Sequence, residues 1–165
     1  MIITKASINN IDDIIDIINQ AKAYLKNNNI DQWQDGYPNK ETFINDINND
    51  CLYLVEEDNT ILGVFALTNY DSNYDVIYDG KWHSDKAYVA VHRIAIADKF
   101  KGRGVAKYIF DYVKDKYSYI RVDTHKDNLS MQKCLLKNGF KYCGIIYLSR
   151  DNSSRLAYDY INDKE

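Results

Sequence analysis

Val91–Lys107 reads VHRIAIADKFKGRGVAK. Its first half is an apolar, Ile- and Val-rich run with the composition of a strand. A short bend follows, and Gly102-Arg103-Gly104-Val105-Ala106 then opens an amphipathic helix. A strand that turns through glycines into a helix start gathers several backbone N–H groups around one concave point. The helix N-terminus adds partial positive charge there. Gly102 and Gly104 allow a ligand to approach the backbone closely and allow a positive φ. Lys101, Arg103 and Lys107 bring cations beside it. The stretch reads as a cradle for a phosphate or pyrophosphate, and so for a nucleotide-type cofactor.

Three cradle motifs compete for this reading. The P-loop string G-x-x-x-x-G-K-[ST] does not occur in the chain. A Rossmann turn would use Gly102 and Gly104, with Asp123 at the end of YIRVD as the ribose carboxylate. Lys107, however, stands at its last small-residue position. Only about 60 residues follow the turn, too few for the usual run of βαβ crossovers. The third pattern, [Gln/Arg]-x-x-Gly-x-[Gly/Ala], is met by Lys101-Gly102-Arg103-Gly104-Val105-Ala106. This resembles the cofactor loop of the GNAT superfamily of acyl-CoA-dependent N-acyltransferases. Lys101 departs from the pattern, but a cradle made of amides does not depend on that side chain.

Asn128-Leu-Ser-Met-Gln-Lys-Cys-Leu-Leu-Lys-Asn-Gly139-Phe140 carries the resemblance further, being similar to the superfamily's Asn-led helix that closes on Gly-Phe. In physical terms Asn128 is an N-cap, and Met131, Cys134, Leu135 and Asn138 follow at helical spacing. Gly139 sits where a helix stops in left-handed conformation. The likeness extends from the opening MIITKAS to the closing RLAYDYI.

Periodicity along the rest of the chain predicts the order β–α–α–β–β, a loop, then β–α–β–α–β–β. The expected strands are Ile2–Ser7, Leu52–Glu56, Ile61–Thr68, Ala87–Ala97, Tyr119–Thr124, Lys141–Ser149 and Leu156–Ile161. Helices are expected from Ile11 to about Asn28 and from about Lys40 to Asn49, besides the two described above. Asp58-Asn59 marks a hairpin, and residues Asn69–Lys86 show no period. Strands interleaved with helices imply an α/β sandwich around one largely antiparallel sheet. The resemblance implies a single GNAT-like domain over residues 1–165, with a mixed, mostly antiparallel sheet flanked by helices. It also implies that two strands splay apart to admit the acyl-pantetheine arm.

The resemblance likewise implies a function: transfer of an acetyl group from acetyl-CoA to a primary amine by direct attack. The backbones of Ile94 and Ile96 would hydrogen-bond the pantetheine arm, with Ala95 between them on the other face. Lys101, Gly102, Arg103, Gly104, Val105, Ala106 and Lys107 would hold the pyrophosphate, and Asn128 would also touch the cofactor. Ile94 and Ile96 also read simply as core residues. Deprotonating the amine needs a base, and His92 titrates in a suitable range. By alternation His92 shares a face with Ile94 and Ile96, and some family members carry a histidine at the matching position. It equally reads as a hydrogen-bonded structural histidine. His125 is the runner-up, and His83 lies in the irregular loop. The family's thiolate-protonating tyrosine position holds Leu135, which cannot donate; Tyr142 or Tyr147 would have to come from another element. A non-catalytic acyl-CoA-binding or regulatory domain of the same fold is the alternative.

Trp33 and Tyr37, after the first helix, and Trp82, before the cradle strand, lie in regions that line the acceptor side in the superfamily. Beside Asp35 and Asp79 they suit a cationic small-molecule or peptide amine. They equally read as caps over the core.

The net charge of −3 and pI near 5.6 argue against nucleic-acid or anionic-membrane partners. The longest apolar run, ILGVFAL, is far short of a membrane span, and MIITKASINN lacks the pattern of a signal peptide. Three widely spaced cysteines without CxxC, and only three histidines, point to reduced cytosolic thiols and to no metal site. The excess of Asn, Ile, Lys and Tyr suits an AT-rich bacterial source. A homodimer is compatible with the sequence but not indicated by it.

Overall fold

Apolar spacing sets the first helices, seen in a computed structural model that describes residues 1–162. Ile11, Ile14, Ile17, Ile18 and Leu25 form the buried face of α1 (Ile11–Asn27), with Asp12 and Asp13 in its first turn and Lys26 in its last. Asn39 caps α2 (Lys40–Asn48): its side chain accepts the Thr42 amide at 3.0 Å while Thr42 Oγ1 accepts the Asn39 amide at 3.2 Å. The remaining elements are β1 (Ile2–Lys5), β2 (Leu52–Glu57), β3 (Thr60–Thr68), β4 (Val89–Ile96), α3 (Val105–Lys116), β5 (Tyr119–Thr124), α4 (Leu129–Lys137), β6 (Lys141–Tyr147) and β7 (Ser154–Ile161). The expected order holds, with ends moved by at most two residues. Short 3₁₀ turns at Ile8–Asn10, Ser72–Tyr74 and Asp98–Phe100 are added.

Hydrogen-bonded neighbours run β1-β2-β3-β4-β5-β7-β6. The β1–β2, β2–β3, β5–β7 and β6–β7 pairs are antiparallel, and β4–β5 is parallel. This is a seven-stranded mixed sheet with flanking helices. The β4–β5 ladder comprises two residue pairs, Val89–Ile120 and Ala90–Arg121. Asp58 and Asn59 both take left-handed φ (52° and 63°), as the tight hairpin between β2 and β3 requires.

The chain divides into two compact units. The first holds Met1–Leu67 and His92–Ile109; the second holds Thr68–Val91 and the chain from Phe110 onward. In the first, Ile14, Ile18, Phe43, Leu52, Leu54, Val64 and Ala66 pack with Ala95 and Ala97. In the second, Tyr74, Ala90, Cys143, Ile146 and Ala157 form a core. Among the described residues, no helix is long and apolar enough to cross a membrane.

Candidate active site

The turn before α3 has the geometry its glycines allow. Gly102 and Gly104 take φ of +78° and +79°, and both are exposed. A Cβ built on either one meets no protein atom within 4 Å. The first helical bond here runs from the Tyr108 amide to the Gly104 carbonyl at 2.9 Å, so the amides of Val105 and Ala106 open at the helix N-terminal end. Val105 anchors this end. It is buried, and Gly63 on β3 makes room for it: a Cβ on Gly63 would lie 3.3 Å from Val105 Cγ1 and 3.0 Å from the Ala95 carbonyl oxygen. Two cations flank the turn in surface pairs. Lys101 Nζ lies 3.0 Å from Asp98 and over the Tyr24 ring, and Arg103 Nη2 lies 3.0 Å from Glu57 Oε1. The N-terminal ammonium and, beyond it, Arg103 hold the Glu57 carboxyl below its ordinary pKa. Open space, amides and displaceable cations together fit a pyrophosphate.

Upstream, β4 departs from regular pleating. Arg93 adopts φ +49°, a left-handed conformation uncommon for any residue with a side chain. This breaks the period of two. Val89, Ala90 and Val91 are buried in succession, His92, Arg93 and Ile94 are half-buried, and Ala95 returns to the core. The regular alternation that would put His92 on the face of Ile94 and Ile96 is therefore interrupted at Arg93. The left-handed turn aims the guanidinium at α2. Nε and Nη2 of Arg93 donate to Asp46 Oδ2 and Oδ1 at 2.6 and 2.7 Å, and Nη1 donates to the Tyr37 hydroxyl at 3.0 Å. Cys51 donates its thiol proton to Asp46 Oδ1 at 3.7 Å. Burial, reinforced by that carboxylate, pushes the Cys51 thiol up to about 11. Tyr37, Glu41, Asn45 and Arg93 line a polar cleft of about 420 Å³.

Comparison with known proteins decides which family this geometry serves. Residues 14–140 match the model of the acetyltransferase (GNAT) family. The chain belongs to the GNAT acetyltransferase family. A GNAT-family acetyltransferase from Streptococcus agalactiae is 38% identical, with a TM-score of 0.91 over 99% of this chain and 96% of that one. Two more distant structures share the fold. A GNAT-family acetyltransferase from Bacillus cereus is 22% identical, with a TM-score of 0.65 over 98% of this chain and 96% of its own. A ribosomal-protein-alanine N-acetyltransferase from Brucella melitensis is 14% identical, with a TM-score of 0.64 over 98% and 99%. No curated protein matches the chain.

The other GNAT positions singled out in the sequence are distributed between the units. Trp33 (φ +62°) packs against the first unit's core beside α1. Trp82 belongs to the second unit, where its indole donates to the Tyr74 carbonyl at 2.9 Å and its ring lies 4.1 Å from the Arg121 guanidinium carbon. Asn128 caps α4, its Oδ1 accepting the Met131 amide at 3.1 Å. His125 is buried, and its Nδ1 accepts the Asp127 amide at 3.0 Å. In the neutral ring the proton is then on Nε2, which makes that nitrogen a donor rather than a base. Asp123 accepts the Tyr74 hydroxyl at 2.6 Å, a sheet-face role unlike that of a ribose ligand. Leu135 is completely buried. Tyr142 and Tyr147 on β6 pair edge-on with Tyr158 and Tyr78.

The Arg93–Asp46–Tyr37 cluster escaped the sequence reading. Its members lie 47 and 56 residues apart. An Asp on the buried face of α2 was the one available signal, since an aspartate there needs a partner.

Proposed function

We propose that this chain is an acetyl-CoA-dependent N-acetyltransferase acting on a primary amine by direct attack, with residues 1–165 working as one catalytic domain. The observation that carries the reading is the open left-handed Gly102/Gly104 turn at the N-terminus of α3 in a chain of this family. When bound, acetyl-CoA supplies the thioester carbonyl that the amine attacks. The amides of Val105 and Ala106, with Gly102, Gly104 and Lys107, hold the pyrophosphate, while Lys101 and Arg103 turn from their surface carboxylates towards it. Backbone groups of Ile94 and Ile96, with Ala95 between them, hydrogen-bond the pantetheine arm, and Asn128 also contacts the cofactor.

His92, next to the left-handed Arg93 on β4, accepts the amine proton directly or through a water. With Leu135 at the family's tyrosine position, no phenol there returns a proton to the sulfur. The leaving thiolate takes its proton from water, tolerable for a thiol with a pKa near 8.5. Tyr37, in a cleft that also holds the Glu41 carboxylate, contacts a cationic small-molecule or peptide amine, with Trp33 and Trp82 supporting the acceptor loops. The buried Leu135 also favours a second reading, a domain that binds acyl-CoA with little turnover.

CoA thiol release measured over a panel of amines separates the two readings. Turnover with at least one amine is expected, and His92→Gln should then lower kcat roughly 10²–10⁴-fold with acetyl-CoA affinity unchanged. Near-wild-type kcat in that variant from about pH 6 to 9 would remove His92 from the mechanism. Tight acetyl-CoA binding without release on any amine would favour the non-catalytic domain.

A further inference from the structure

In the second unit three potential metal ligands converge from distant parts of the chain. His83 Nδ1 lies 2.7 Å from Asp159 Oδ1 and 3.3 Å from Cys143 Sγ, and all three ligand atoms fall within 4.8 Å of one another. His83 is separated from Cys143 by 60 residues and from Asp159 by 76, which is why the absence of any CxxC spacing said nothing about them.

The convergence is built into the backbone. Tyr78 and Ile145 exchange two amide–carbonyl hydrogen bonds at 2.8 Å, and the Lys81 amide donates to the Cys143 carbonyl at 2.9 Å. Gly80 permits this approach, because a Cβ there would lie 1.8 Å from the Cys143 oxygen. The loop is thus held on β6 with His83 beside Cys143. On β7, Asp159 is almost fully buried, and its other oxygen, Oδ2, accepts the His83 amide and the Tyr119 hydroxyl, each at 2.8 Å. A carboxylate oriented by two donors on one oxygen, with its second oxygen turned to an imidazole and a thiol, has the outer support that metal-ligating carboxylates use. The imidazole is about one-third exposed, which leaves an approach from solvent.

We propose that His83, Cys143 and Asp159 form a zinc site, with water as the fourth ligand. It is independent of the acetyl-transfer reading. The nitrogen, sulfur and oxygen donor set is that of tetrahedral zinc. Ligand atoms around zinc stand roughly 3.3–3.6 Å apart, given metal–ligand bonds near 2.0–2.3 Å. The Cys143–His83 distance already matches, and the His83–Asp159 distance must open by about half an ångström. On binding, the Cys143 thiol loses its proton to solvent and its sulfur bonds the metal. His83 binds through Nδ1 as a neutral imidazole with its proton on Nε2, so the thiol gives up one proton per zinc. The metal takes the place of the proton between His83 and Asp159, and it ties the 78–83 loop to β6 and β7.

The test uses the full chain, freed of metal by a chelator that is then removed. Zn²⁺ titrated against a chromophoric competitor should bind at one equivalent. Calorimetry in two buffers of different ionisation enthalpy should report about one proton released. Co²⁺ in place of Zn²⁺ should give a thiolate-to-cobalt charge-transfer band in the near ultraviolet. Cys143→Ser should abolish the band. His83→Gln, whose exposed side chain leaves the core intact, should weaken Zn²⁺ at least tenfold, and Cys51→Ser and Cys134→Ser should change neither readout. Absence of stoichiometric Zn²⁺ binding, or a band and affinity that survive His83→Gln, would overturn the site and leave the three groups as a hydrogen-bonded latch.

Discussion

Arg93 and Arg103 belong to the same unit and each faces a carboxylate, yet their surroundings are opposite. Arg93 lies in a strand on a strained left-handed backbone, its side chain 14% exposed, gripping Asp46 with two hydrogen bonds and Tyr37 with a third. Arg103 lies between two left-handed glycines in a turn, its side chain 48% exposed, with one hydrogen bond to Glu57 and its guanidinium over the Phe100 ring. A desolvated, bidentate pair has no alternative partner in water and acts as a fastener between β4 and α2. An exposed pair contributes little and is readily exchanged for another anion. The same residue type is therefore used once to close the protein on itself and once in an exposed turn where its ion pair is easily exchanged.

Four substitutions would break or sharpen this contrast. Asp46→Ala should have the largest effect, because it leaves the Arg93 guanidinium buried without its carboxylate. Breaking such a pair costs about 3–5 kcal/mol, read as a fall in the denaturant midpoint. A loss below about 1 kcal/mol would mean that Arg93 finds water and is no fastener. Gly63→Val forces methyl groups against the Ala95 carbonyl and Val105. Overpacking of about 1–3 kcal/mol is expected, together with weakened acetyl-CoA binding, since Val105 seats the cradle.

Gly104→Val separates the two effects. Its side chain meets no protein atom, so the fold loses only the strain of a left-handed valine, about 1–2 kcal/mol. Acetyl-CoA affinity by calorimetry should nonetheless fall more than tenfold, and unchanged affinity would place the cofactor elsewhere. Glu57→Gln should be the mildest, with little change in Tm at pH 7. Because the Glu57 carboxyl is held below its ordinary value of 4.5, its contribution is complete above that pH and fades as pH falls through the lowered folded value. The variant should lose that acid-side fade and bind acetyl-CoA no worse. Weaker binding would show that Glu57 positions Arg103 instead of competing for it.

What the sequence revealed and what it hid divide along physical lines. The cradle, the Asn128 cap, the Asp58-Asn59 hairpin and the α1 stripe are local: each depends on residues within a few positions, and each was legible. The left-handed backbone at Arg93 was not, because Arg93 is an ordinary strand residue by propensity and its partners Asp46 and Tyr37 lie far off in sequence. The order β5-β7-β6 was equally hidden, since no short-range signal says that the last strand inserts between two earlier ones. The meeting of His83, Cys143 and Asp159 follows from that insertion. Trp82 read equally well as a binding aromatic or a core cap, and only its indole bond to Tyr74 and its contact with Arg121 show how much of it is committed to packing.

The hydrogen bond from Cys51 to Asp46 also bears on how the protein ages. With burial pushing its thiol up to about 11, little Cys51 is ionised at neutral pH, and it is the thiolate that peroxide and alkylating reagents attack. Burial beside the fastener between β4 and α2 thus protects this thiol against oxidation. Samples stored without reductant should keep Cys51 intact for as long as it stays buried beside Asp46, and labelling of this cysteine by iodoacetamide would report when that corner opens.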